Sequence, residues 1–171
     1  MNAALKKSYE LEKKGLEFYV SSAVKCQNAL AKRTLFSLAQ EEIKHMMKID
    51  DISLAVGQGK KWRDVETRLK TSDIEMEIKT FFGKTGKEIL GSDKDNSVIL
   101  KKAMEFERQS YELYSELSAK SDQPEEKSFY DELKGQEKEH FAALENAYYY
   151  LTKTGDWFEK EESGVWGWMS L

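Results

Sequence analysis

The chain has 171 residues, 34% of them charged, a net charge of −4 at neutral pH and a single proline. That length is ordinarily one domain with a real core, and a chain rich in Glu, Lys, Leu and Ala with so few helix breakers is expected to be all-α. No basic run marks a nucleic-acid or anionic membrane surface, no apolar run is long enough to span a bilayer, and the lone Cys26 excludes an internal disulfide or a four-cysteine metal site. The N-terminal Met-Asn-Ala-Ala-Leu-Lys-Lys is followed by alternating charges and no apolar signal core, so a cytoplasmic protein is the expectation.

Residues 3–27 read as a first helix, with Leu5, Tyr9, Glu12, Leu16, Tyr19 and Ala23 recurring at steps of three and four. A second follows over 30–56, its stripe being Leu35, Leu38, Glu42, His45, Ile49, Ile52 and Val56, and Gly57-Gln58-Gly59 stops it. The short link makes these two antiparallel neighbours. Residues 57–94 read as a long crossover holding one short amphipathic helix, Asp73 to Phe82, and expected to return the chain to the starting end of the bundle. A third helix is expected over 95–120, with Leu100, Ala103, Glu107, Tyr111, Tyr114 and Ser118 inward. A fourth runs over 124–153, opened by Pro124 and striped by Tyr130, Leu133, Glu137, His140, Leu144, Ala147 and Leu151. Gly155 ends it. The remaining tail, with Trp157, Phe158, Trp166 and Trp168, is expected to cover the edge of the bundle or a partner.

The candidate chemistry lies in a repeat. Glu42 and His45 form Glu-x-x-His, and so do Glu137 and His140, which stand 95 positions later; these are the only two histidines. Glu12 and Glu107 precede the two motifs by the same 30 residues, and Tyr19 and Tyr114 obey the same offset. On a helix, Glu and His three apart lie about 60° apart and one turn along the axis, so both can address one ion. In all four stripes the glutamate has apolar neighbours a turn away. Four carboxylates aimed into one core, with no lysine or arginine on the stripes, would oppose folding unless something cationic sat among them. Two divalent cations balance that charge, and the two imidazoles complete six ligands. The expected metal ligands are therefore Glu12, Glu42, His45, Glu107, Glu137 and His140, and the di-metal centre itself is the expected catalytic group. Tyr19 and Tyr114 are either plain core aromatics or donors to a ligating carboxylate across the bundle. Glu17, Glu41, Glu112 and Glu139 fall off the stripes and are expected on the solvated face, and Cys26 is expected to be a small boundary residue.

A carboxylate-rich, histidine-poor, six-ligand set suits iron or manganese, with zinc as a further candidate. One Glu from each of two helices and Glu-x-x-His from two others is the pattern of ferritin-like di-iron and di-manganese bundles. The fold expected is thus a ferritin-like four-helix bundle of two antiparallel helix pairs with a long crossover, in one domain.

Tyr9 to Tyr19 and Leu38 to His45 resemble the first half of a rubrerythrin-type di-iron domain, and Glu107 to Tyr114 with Gln136 to His140 resemble its second half. The resemblance covers residues 3–153. It implies the six ligands above, with Glu42 and Glu137 as metal-bridging carboxylates, and reduction of hydrogen peroxide or dioxygen at two iron ions in oxidative-stress defence. It also implies a homodimer and an external electron donor such as a rubredoxin-like protein, since the four-cysteine rubredoxin domain of full-length rubrerythrins has no counterpart here. Where the family places an extra glutamate one turn beyond the third-helix ligand, this chain has Ser110. Iron oxidation or sequestration, or a metal used only for folding, are the competing expectations.

Overall fold

The structure is a computed structural model and describes residues 2–85 and 94–154. These form five α-helices and no strand: α1 (Ala3–Lys25), α2 (Ala29–Gly57), α3 (Ile74–Thr85), α4 (Lys94–Lys120) and α5 (Pro124–Tyr149), with a 3-10 turn at Trp62–Asp64. None of the helices is long and apolar enough to cross a membrane. The helix starts follow from local chemistry. The side chain of Asn2 accepts from Leu5 N at 2.8 Å, and Asn28 accepts from Leu30 N and Ala31 N, so both satisfy amides that an open helix end leaves bare. Pro124 opens α5 in its first turn, where no N–H is needed. At the other end of α2, Gly59 takes a positive φ of 89°, which turns the chain away at a position unfavourable for other residues. The last turn after α5, Tyr150–Thr154, widens into a π-helix. Gly155 and the tryptophan-bearing tail lie outside the described residues, as do Gly86 and Gly91.

α1 packs mainly on α2, and α4 mainly on α5, so the bundle consists of two antiparallel hairpins. Its apolar core falls into two bodies. One holds Tyr19, Ala23, Cys26, Leu30, Leu35 and Leu38 with Leu100, Ala103, Leu144 and Ala147; the other holds Leu5, Ile49 and Ile52 with Trp62, Tyr114, Phe129 and Leu133. Every long helix passes from one body to the other, and the glutamates and histidines singled out above lie at the crossing between them.

This division settles the direction of the crossover and corrects one expectation. α2 already ends beside the body that contains Leu5, the end where α1 began. The connection then passes Trp62 in that body and reaches Ile74 and Ile78 in the opposite one, beside which α4 starts. The crossover therefore takes the chain to the far end of the bundle rather than back to the starting end. α4 runs antiparallel to α1, and the two hairpins are related by an approximate two-fold axis across the helices. The repeat alone is compatible with either arrangement; which end receives α4 is decided by where the crossover buries Trp62 and Ile78. It is also tied down by polar contacts. Leu69 N donates to Glu132 at 2.8 Å, and on α3 Glu77 accepts from Arg33 at 3.3 Å and Ser37 at 3.1 Å. Cys26, expected at the boundary, caps α1 in the fully buried core instead, because the tight α1–α2 link folds inward there.

Candidate metal centre

Glu12 of α1, Glu42 and His45 of α2, Glu107 of α4, and Glu137 and His140 of α5 meet between the two apolar bodies, each at most 1% exposed. Their donor atoms form two groups. Glu42, Glu107, Glu137 and His140 offer ligand atoms within 4.8 Å of one another, and so do Glu12, His45 and Glu137. Glu137 belongs to both groups and forms the junction between them. In the second group His45 Nδ1 lies 3.1 Å from Glu12 Oε2 and 3.3 Å from Glu137 Oε1. In the first, His140 Nδ1 lies 3.5 Å from both Glu107 Oε2 and Glu137 Oε2. The two imidazoles stack loosely, 5.5 Å apart.

Two tyrosines join the halves reciprocally. Tyr19 on α1 donates its hydroxyl to Glu107 on α4, while Tyr114 on α4 donates to Glu12 on α1. The antiparallel course of α1 and α4 makes this exchange possible, since it sets position 19 beside 107 and position 114 beside 12.

The electrostatics are those of crowded acids out of water. Burial pushes the carboxyls of Glu12, Glu42 and Glu137 well above the usual carboxylate range, and the charges of Glu137, Glu12 and Glu107, respectively, push the same way. Glu107 is the exception: burial pushes it up, but the charge of His140 and the Tyr19 hydroxyl hold it below its ordinary value. Burial would lower His140, yet Glu107 beside it raises it to about 9. His45 is lowered to about 4 by burial and by His140.

A metal fits this donor set. Glu107 Oε2, both carboxylate oxygens of Glu137 and both ring nitrogens of His140 are buried without a hydrogen-bond partner. Buried polar atoms are nearly always paired, so unpartnered atoms on three neighbouring donor residues are what bound cations would satisfy. All are oxygen or imidazole donors, the types that suit iron, manganese or zinc.

Residues 3–148 match the family model described as Rubrerythrin. The chain belongs to the rubrerythrin family. No curated protein and no solved structure matches it. The family, the all-helical bundle and the buried carboxylate–histidine cluster agree with one another, and together they make this rubrerythrin domain a candidate metal-binding protein.

Three residues of the site lie off the apolar stripes. Glu41, expected on the solvated face, is only 3% exposed, and its carboxylate accepts from Lys44 at 2.7 Å. A stripe treats a helix as buried along one line, whereas α2 is covered by α1, α3 and α5. The buried sector is therefore wide enough to take in the residue next to Glu42. Gly15 is also buried: a Cβ there would stand 3.0 Å from the Phe106 ring and 3.2 Å from the Glu42 carboxyl carbon. Gln136 Oε1 lies 2.7 Å from His45 Nε2. A glycine in the middle of an amphipathic helix, one turn after Glu12, was the one sequence signal available for any of the three. Glu17 and Glu112 are exposed as expected, Glu139 is half-buried, and Ser110, one turn beyond Glu107, is buried.

Proposed function

We propose that this chain holds two iron ions in the buried cluster and reduces hydrogen peroxide, or dioxygen, with electrons from an external donor such as a rubredoxin-like protein. The observation that carries this reading is the pair of buried donor groups sharing Glu137. Glu42, Glu107, Glu137 and His140 would hold one ion and Glu12, His45 and Glu137 the other. The family resemblance would make Glu42 a second shared carboxylate beside Glu137, and its interaction with the Glu12 carboxyl supports that reading. Manganese or zinc would fit the same donors.

Reduction of one hydrogen peroxide to two waters takes two electrons and two protons. A bound di-iron pair would supply both electrons, one from each ion. The chain's own residues set the conditions for that. Four carboxylates form an anionic cage that favours the more highly charged metal state. The two apolar bodies above and below exclude bulk water, so these charges act at low dielectric. Tyr19 and Tyr114 each keep a hydroxyl proton on a ligand carboxylate, fixing the orientation of Glu107 and Glu12. Ser110 brings no carboxylate, so α4 contributes Glu107 alone to the six.

The test is stopped-flow absorbance of anaerobically Fe(II)-loaded protein mixed with hydrogen peroxide or with dioxygen. Oxidation of two irons per chain, much faster with peroxide, is the expected result. Fast reaction with dioxygen only would favour iron oxidation or sequestration, and no reaction with either would leave a metal used for folding. We further propose a cytoplasmic homodimer, which would cover the exposed Val20, Val24, Phe36, Ile43 and Met47 of α1 and α2. A size-exclusion mass of two chains is expected; a cage-sized mass would overturn it.

A further inference from the structure

The two histidines of the centre are backed differently. His140 has no hydrogen-bond partner on either ring nitrogen. His45 presents Nδ1 to Glu12 and Glu137, while its Nε2 meets Gln136 Oε1 at 2.7 Å. The direction of that contact follows from a second one. Gln136 Nε2 donates to the backbone carbonyl of Lys70, in the crossover, at 2.8 Å. A carbonyl oxygen can only accept, so the amide NH2 must face Lys70 and the amide oxygen must face His45. An amide oxygen can likewise only accept, so the proton of the neutral ring belongs on Nε2. The lone pair is then on Nδ1, where it would meet an ion in the loaded protein and, in the metal-free protein, accepts a carboxyl proton from Glu12 or Glu137. Turning the amide over would set two carbonyl oxygens against each other at Lys70.

We propose that Gln136 is the positioning residue for His45: it locks the imidazole in its Nε2–H tautomer and so presents Nδ1 to the metal centre, the crossover carbonyl of Lys70 setting the direction of the amide. The internal repeat sharpens the point, because the repeat counterpart of Gln136 is Glu41, whose carboxylate is engaged by Lys44 instead. The backing of His45 is thus a feature of one half only. The inference rests on the reading that Glu12, His45 and Glu137 take an ion.

Two readouts separate this inference from that reading. The first is the imidazole 15N spectrum of the metal-free protein at neutral pH, tractable because there are only two histidines. Wild type is expected to show His45 protonated on Nε2; protonation on Nδ1 would overturn the proposal without any variant being made. Gln136→Leu, similar in size but unable to accept, is expected to show a mixture of tautomers. Gln136→Glu, which still accepts from Nε2–H and in its protonated form still donates to the Lys70 carbonyl, is expected to restore the single one. The second readout is calorimetric titration with Zn(II). Gln136→Leu should weaken one of two sites by roughly 10- to 100-fold, the usual range for loss of a partner behind a metal-bound histidine, and Gln136→Glu should recover most of it. An unchanged tautomer and affinity in Gln136→Leu, or equal damage in both variants, would overturn the proposal. Wild-type protein that shows the expected tautomer yet binds no pair of ions would instead overturn the functional reading.

Discussion

Gly15→Ala opposes a local gain to a loss at the centre. Alanine is favoured over glycine inside a helix by about 1 kcal/mol. Its methyl, however, would meet the Phe106 ring at 3.0 Å and the Glu42 carboxyl at 3.2 Å. Overpacking of that kind costs about 1–3 kcal/mol. In the metal-free protein the half-buried Phe106 can swing aside, so the two effects nearly cancel and thermal stability should change little. In the loaded protein Glu42 would be held by an ion and could not yield, so the cost falls on binding. A cost of about 1.4 kcal/mol is a tenfold weaker Kd. An ion at 100 times its wild-type Kd stabilises by about 2.7 kcal/mol, and a tenfold weaker site leaves about 1.4. For a domain of this size that difference lowers the metal-bound Tm by about 3–5 °C. The assay is thermal unfolding of wild type and variant with and without Zn(II) or anaerobic Fe(II). A metal-induced rise in Tm equal to that of wild type would refute the argument that the missing Cβ sets the seat of Glu42.

Glu137→Ala should abolish binding of both ions, because both donor groups contain that carboxylate, whereas Glu107→Ala should spare one; metal analysis after gel filtration distinguishes them. Glu41→Ala should keep two-metal binding, its carboxylate being committed to Lys44, and equal loss in Glu41→Ala and Glu137→Ala would show the donor assignment to be wrong. Tyr114→Phe removes the donor to Glu12 and should destabilise the protein by about 1–3 kcal/mol in urea unfolding, and no change would mean that the hydroxyl is replaceable by water. Metal-free protein should also lose stability as pH rises. Glu12, Glu42 and Glu137 have folded pKa values raised above 4.5, so their contribution is full below pH 4.5 and is lost as the pH climbs toward those values. His140, raised to about 9, acts in the same direction, its contribution present below 6.5 and lost through about 9. His45, lowered to about 4, opposes them on the acid side, its contribution lost as pH falls through 4. Urea midpoints between pH 5 and 9 should therefore fall for metal-free protein and stay level for loaded protein, and a rising metal-free profile would contradict the assignment.

The parts of this molecule written in periodicity were legible in the sequence. Leu5, Leu35, Ile49, Leu100 and Leu144 mark their helix faces at steps of three and four, and the 95-residue echo of Glu, Glu-x-x-His and Tyr names the residues that meet in the middle. Relations between helices are not written that way. Which end of the bundle receives α4 depends on the crossover burying Trp62 and then Ile78, a property of connection length and packing. The burial of Glu41 depends on three helices covering α2 at once. Gln136 gains its role from a backbone carbonyl 66 positions away, and a carbonyl belongs to every residue alike, so no letter in the sequence announces it.

The reciprocal tyrosines carry a consequence for how such a chain can change over generations. Each half of the repeat lends a hydroxyl to the carboxylate of the other, across 88 and 102 positions, and neither half is self-sufficient. A duplicated ancestor built this way would already have needed two copies of its hairpin, side by side and inverted, to complete one site. Fusion of two such copies into a single chain would relax the demand for identical halves. Substitutions at Glu12 are thereafter answerable to Tyr114, and those at Glu107 to Tyr19, rather than to neighbours in sequence. Away from those crossed pairs each half is free to differ, as Glu41 and its repeat counterpart Gln136 do.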